Sequence, residues 1–223
     1  MFNSCLIKEI TERAKPGDII CHTFGKVHPD LASLLPQCYH LETGIGYPDT
    51  WLAFRIFESS AWMHYHLGKE GKGGQNYNWV VPNYYDLTEW DICLKPQDYI
   101  LYFGRITPEK GMCNVIEIAN RTNRKIIICG QGDPKEWLEK SSNLIYKPPI
   151  HGRERNALLG NAYCCIMPTL FIEPFGGSGV EAMLCGTPLL TCDYGAFQET
   201  VLNGVTGFRC HTLGKFLFIF IFF

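Results

Sequence analysis

The sequence predicts an α/β protein whose carboxyl-terminal part is a parallel sheet covered by helices. Three observations carry this. The composition, 46% hydrophobic and 19% charged over 223 residues, is that of an ordinary folded chain with enough apolar surface for a core. From about residue 98, short β-branched apolar runs alternate with helix-like stretches, the order in which a parallel sheet is built and buried on both faces. Glycine, proline and Asn-Gly punctuation separates these runs and supplies the residues that stop helices and turn the chain.

Taken in order, the first strand of this part is expected at 98–103, followed by a helix over 108–121 that Pro108 opens. A second strand is expected at 125–129, then the turn Gly130-Gln131-Gly132, then a helix through Trp137 that Asp133 caps. A short strand at 144–146, a helix at 152–162 and an apolar strand at 163–167 follow. A helix from about Ser178 to Cys185 stops at Gly186, with Pro188 just beyond. A strand at 189–192, a helix at 197–202 and an Asn203-Gly204 turn close the series. The first third is less regular, with strands expected at 18–23 and 38–42, a helix at 51–67 and a Gly-rich polar loop at 69–78. We read 1–82 as one domain, 83–97 as a hinge or linker, 98–210 as a second domain and 211–223 as an aberrant apolar tail.

Charge and cysteine content exclude several classes. Lys and Arg number 20 against 22 Asp and Glu, which gives no field for a nucleic-acid partner. The eleven cysteines are an odd count without CxxC spacing, so neither a zinc site nor a disulfide framework fits. Reduced buried thiols are expected, with a redox role as the alternative. Charges interrupt the apolar positions of the first fifteen residues, unlike a secretory signal, which points to the cytoplasm. The eight apolar residues 216–223 fall short of the about 20 that a spanning helix needs. An exposed tail of this kind invites β aggregation, so a frameshifted or read-through end is favoured over a membrane anchor. A buried last strand and peripheral membrane contact are the other readings.

The chemistry concentrates in two segments. Glu173-Pro174-Phe175-Gly176-Gly177-Ser178-Gly179-Val180-Glu181 sets two carboxylates eight positions apart around a small-residue loop that opens a helix. Glycines let backbone approach a phosphate, and the first helical N–H groups point at it. Glu181, expected in the first turn, can accept two hydrogen bonds from vicinal ribose hydroxyls, and Glu173 would face a sugar. The alternative is that Glu181 complements the helix dipole and Glu173 is a solvated loop residue. The second segment holds Gly104, Arg105, Lys110 and Gly111 after the first strand of the second domain. Two cations there would stabilise a departing diphosphate in place of a metal, and no Asp-x-Asp metal motif is present. Cations at a helix start oppose its dipole, which disfavours reading them as plain surface charges.

These motifs, with Gly130-Gln131-Gly132, the run Ala182 to Pro188 and Gly195-Ala196-Phe197-Gln198-Glu199, resemble glycosyltransferase family four over about residues 98–210. Val81-Pro82-Asn83-Tyr84-Tyr85-Asp86 also resembles that family's interdomain hinge. The resemblance implies a GT-B fold with a Rossmann-like donor domain and a partial Rossmann-like amino-terminal domain, the chain being truncated at both ends. It implies a nucleoside-diphosphate sugar donor, retention of anomeric configuration, no metal or other cofactor, and a glycan or lipid-linked acceptor. It also implies that Gly104, Arg105, Lys110, Gly130, Phe175, Gly176, Gly177 and Ser178 line the donor site. Glu173 would orient the transferred sugar and Glu181 would hold the ribose. Family members place a first-domain histidine near the reaction centre; His64 is the candidate and His66 the second. A packed amphipathic helix with its histidines in solvent is the alternative, and Gly44-Ile45-Gly46-Tyr47 either lines the cleft or forms an ordinary turn. Three functions fit: a transferase, a donor-binding fragment or pseudoenzyme that has lost transfer, and a sugar-nucleotide epimerase of the same fold.

Overall fold

The computed structural model describes residues 2–23, 25–74, 76–93 and 95–222. Two compact units form, Met1–Asn83 and Tyr84–Phe223. The first runs α1 (Phe2–Arg13), β1 (Ile19–His22), α2 (Asp30–Leu34), β2 (Tyr39–Ile45), β3 (Phe54–Phe57), α3 (Ser60–Glu70) and β4 (Asn78–Val80). Its four strands pair in parallel in the order β1-β2-β3-β4.

The stretch 51–67, expected as one helix, is a strand and a helix. In β3, Arg55 and Phe57 point into the unit while Phe54 and Ile56 point away, an alternation that suits a strand with one covered face. Arg55 is held there by Glu70 at 2.5 Å, Thr50 at 3.0 Å and Asn78 at 3.1 Å. Ser59 then caps α3 by accepting from the Trp62 N–H at 3.1 Å, and Gly71 closes it in the left-handed conformation.

The second unit runs β5 (Ile100–Phe103), α4 (Met112–Thr122), β6 (Ile126–Cys129), α5 (Lys135–Leu138), β7 (Leu144–Lys147), α6 (Gly152–Gly160), β8 (Cys164–Met167), α7 (Gly177–Leu184), β9 (Leu189–Cys192), α8 (Phe197–Thr200), β10 (Gly207–Cys210) and α9 (Leu213–Phe222). Six parallel strands lie in the order β10-β9-β8-β5-β6-β7. One face of the sheet packs Ile100, Ile126, Ile128 and Ile166 with α4, and the other packs Leu101, Cys165 and Leu189 with α6 and α7. That double burial explains the continuous apolar run of β8 and the one of β9 that Thr191 interrupts. The expected helix at 108–121 is a 3-10 turn, Pro108–Lys110, and then α4, because Gly111 takes φ +82 between them.

The last segment, expected as an aberrant tail or a buried strand, is helical. Phe216 and Ile219 are buried in the α4 side of the core, with Leu213, Leu217 and Phe220 packed beside them, a helical spacing that turns one face inward. Phe218 is 54% exposed on the other face. Among the described residues, no helix is long and apolar enough to cross a membrane. All eleven cysteines are free; seven are buried, Cys93 is partly so, and Cys5, Cys21 and Cys113 are exposed. Burial pushes the Cys165 thiol up to about 12 and the Cys185 thiol to about 11.

Candidate functional site

Two loops of the second unit, leaving the carboxyl ends of β5 and β8, converge on a cavity of about 220 Å³. Gly104, Arg105, Lys110, Thr169 and Ser178 line it, at the position where open parallel sheets leave room for ligands. The β5 loop is held from below. The Tyr102 hydroxyl donates to the Arg105 carbonyl at 2.5 Å, and burial keeps that phenol protonated by pushing it well up. The Gly104 N–H donates to Cys129 at 3.0 Å and the Ile106 N–H to Gln131 at 2.8 Å. Gly130 has to be glycine here, since a Cβ on it would lie 1.9 Å from the Gly104 carbonyl oxygen and its φ is +154. Expected to line the donor site, Gly130 is instead the neighbour that lets the β5 and β6 loops meet.

The β8 loop is tied to the same turn. Thr169 and Leu170 both donate to the Glu109 carbonyl, at 3.2 and 2.9 Å, and the Tyr194 hydroxyl donates to the Thr169 carbonyl. The Ala196 N–H donates to the Glu173 carbonyl at 3.0 Å. The turn before α8 thus fixes the backbone from which the Glu173 carboxylate projects.

These ties bring Lys110 and Glu173 together from 63 positions apart: Lys110 Nζ donates to both carboxylate oxygens, at 2.8 and 3.0 Å. Their side chains are only 13% and 9% exposed, and the ammonium also sits 4.5 Å from the Phe171 ring centroid. Removing one partner of such a pair costs about 3–5 kcal/mol. Glu173 is therefore a buried, paired carboxylate and not a solvated loop residue. Arg105 is exposed and makes no salt bridge among the described residues. It leaves an available cation at the mouth of the cavity.

At α7, Gly176 adopts φ +79 as the N-cap, and a Cβ there would meet the Phe197 ring at 2.5 Å. The helix consequently starts at Gly177, a residue earlier than expected, and Glu181 falls in its second turn. Its placement in the first turn, and with it the dipole-complement alternative, does not hold. Glu181 instead lies 3.5 Å from Arg155 of α6, and burial raises its pKa against the lowering by Arg155. Phe175 is buried, with Tyr85 stacked on it at 6.3 Å.

The segment expected as a linker packs on this unit from Tyr84 onward. Trp90 carries the Arg155 guanidinium on its ring, and the Cys93 N–H donates to Cys185 at the end of α7. Reasoning from sequence placed Tyr85 only in a hinge and missed Trp90 and Arg155. No spacing relates them to the motifs, and the aromatics Tyr84, Tyr85 and Trp90 in a largely polar stretch were the only signal. His64 lies in the first unit, exposed on α3. His66 is buried, its ring bonded to the Tyr47 carbonyl at 3.0 Å, and burial lowers its pKa. Tyr47 donates to Glu42 at 2.9 Å. Among the described residues, no group of three or more His, Cys, Asp or Glu side chains is placed to hold a metal ion.

The family model for glycosyl transferases group 1 matches residues 93–212. Glycogen synthase of Mycobacterium tuberculosis is 31% identical over 148 residues, which cover 59% of this chain and 35% of that one. The 2-deoxystreptamine N-acetyl-D-glucosaminyltransferase of Niallia circulans is 30% identical over 119 residues, covering 48% and 30%. The chain thus spans about a third of the length of these curated relatives. Among solved structures, HepE of Anabaena, in complex with UDP and glucose, superposes with a TM-score of 0.79 at 17% identity over 98% of this chain and 70% of that one. Sucrose-phosphate synthase of Thermosynechococcus elongatus gives 0.75 at 18% over 97% and 66%. The fold of Rossmann-like parallel sheets is that of GT-B glycosyltransferases, and with more than half its length matched by the family model, the chain belongs to the group 1 glycosyl transferases.

Proposed function

We propose that this chain carries the donor site of a retaining, metal-independent transferase that moves a sugar from a nucleoside diphosphate to a glycan or lipid-linked acceptor in the cytoplasm. The observation that carries the reading is the Lys110–Glu173 pair beneath a cavity mouthed by Arg105 and Ser178. Arg105 and Lys110 would take the diphosphate, helped by the backbone N–H groups at the start of α7, and Glu173 would orient the sugar hydroxyls. Glu181 would accept from the ribose. As the sugar–oxygen bond breaks, charge grows on the diphosphate and the two cations stabilise it. The departing phosphate oxygen takes the acceptor's hydroxyl proton while that hydroxyl's oxygen bonds the anomeric carbon on the same face. Positioning supplies the remainder of the rate.

A donor-binding protein that does not transfer the sugar is the second reading. Calorimetric titration with UDP, GDP and ADP in chelator tests the site, with UDP first because the Anabaena protein was solved with it. One nucleotide should bind, and the Arg105→Ala, Lys110→Ala double variant should bind it at least about a hundredfold more weakly. Equal binding by that variant, or none by the folded parent chain, would remove the reading. Hydrolysis of the matching nucleotide sugar then separates the two readings.

A further inference from the structure

We infer that Trp90 and Arg155 are positioning residues for Glu181, forming an aromatic–guanidinium–carboxylate relay that fits the site to the ribose of its nucleotide. The inference rests on the donor-site reading above.

Arg155 is the salt-bridge partner of Glu181 among the described residues, with Nη1 at 3.5 Å from Oε1. Its Nε is buried without a hydrogen-bond partner among those residues. The Trp90 ring lies against it, its centroid 4.3 Å from the guanidinium carbon, a cation–π contact that Arg favours. Trp90 is fixed in turn. The 3-10 turn Leu87–Glu89 precedes it, capped by Asp86, which accepts from the Thr88 N–H at 2.9 Å. Asn156, the neighbour of Arg155 on α6, donates to the Glu89 carbonyl at 2.5 Å. Tyr85 meets the Trp90 ring edge-on at 5.9 Å. Beyond Trp90, the Cys93 N–H donates to the Cys185 carbonyl at 3.1 Å. Residues 85–93 therefore run along α7, tied at one end to Phe175 and at the other to Cys185.

The consequence falls on one carboxylate. The Glu181 side chain is 18% exposed and its carboxylate accepts no hydrogen bond from a described residue. Arg155 engages Oε1 and leaves Oε2 to accept from a ligand. A half-buried carboxylate without a cation would rotate toward water or take up a proton. The Arg155 guanidinium at 3.5 Å opposes that and holds one carboxylate oxygen in place, and two accepted bonds from vicinal hydroxyls need that aim. The diphosphate cations Arg105 and Lys110 sit on the β5 loop, so losing the relay should spare the diphosphate.

The test compares three probes on the full chain: inorganic diphosphate, the nucleoside diphosphate that binds, and its 2′,3′-dideoxy form. Trp90→Leu and Arg155→Gln should each weaken the nucleoside diphosphate about tenfold, leave inorganic diphosphate within about twofold, and leave the dideoxy form equal to the parent. Trp90→Phe, which keeps an aromatic face, should restore most of the affinity. If Trp90→Leu fails to fold, Arg155→Gln and Trp90→Phe carry the comparison. Unchanged nucleotide affinity, or equal loss for all three probes, overturns the relay. Failure of the donor-site reading looks different: inorganic diphosphate and the nucleotides then do not bind the parent chain, or bind indifferently to Arg105→Ala, and the relay falls with it.

Discussion

The two sheets of this protein obey one connection rule and are stabilised differently. In the second unit, β8 and β9 are buried along their whole length, with apolar side chains from both faces in separate core clusters. In the first unit, one face of the sheet is covered and the other is open. Ile19 pairs with Tyr39, Leu41 with Phe54 and Ile56 with Trp79, and on that shared face Ile19 is 66%, Tyr39 64% and Trp79 49% exposed. Parallel sheets are ordinarily covered on both sides. The covered face, moreover, holds polar groups: His22, Glu42, Arg55 and His66 are all buried. Glu42 accepts from the Trp51 and Leu52 N–H groups at 3.0 and 3.1 Å as well as from Tyr47. The second unit is held by apolar burial, then, and the first also by the buried hydrogen bonds around Glu42 and Arg55.

The comparison can be broken by substitution, and hydrogen exchange read by mass spectrometry shows which unit responds. Leu101→Ala empties a fully buried position in β5. It should destabilise the second unit by about 3 kcal/mol and raise exchange through β5, β6 and β8 while sparing the first unit. Ile19→Ser on the open face should cost less than about 0.5 kcal/mol, and a loss as large as that of Leu101→Ala would show that the face is covered in solution. Glu42→Leu should cost the first unit about 2–3 kcal/mol by leaving buried N–H donors unpaired, with faster exchange at 39–57; a neutral result would deny the polar-network account.

The smallest effect concerns pH. Burial raises the Glu181 pKa, so the charged form is disfavoured in the folded chain. Its contribution to stability is therefore greatest below the ordinary carboxylate value of about 4.3 and is lost as pH rises through the raised value. Glu181→Gln should be the more stable protein near neutrality and equal to the parent in acid. Denaturant melts at both pH values check this, and a parent more stable than the variant at neutrality would reverse the sign.

Much of the second unit was legible because local chemistry and burial agree there. The strand 189–192 coincides with β9, and Gly186 stops the preceding helix close to where it was expected. The helix at 51–67 failed for the opposite reason. Arg55 in a strand interior conceals its period, and only Glu70, Thr50 and Asn78 around it make burial tolerable. The tail failed because a run of Phe, Leu and Ile reads as strand or aggregate until α4 offers Phe216 and Ile219 a surface to pack on.

The sequence by itself determined the α/β order, the glycine turns and the family, since each rests on short-range spacing and on which residue types the backbone tolerates. Only the tertiary structure decided that Lys110 meets Glu173, that Glu181 stands in the second turn of α7 opposite Arg155, and that residues 85–93 lie along that helix. Those contacts join residues far apart in the chain, 63 positions in the case of Lys110 and Glu173, and their geometry is set by how the sheet stacks its elements, which no local propensity encodes.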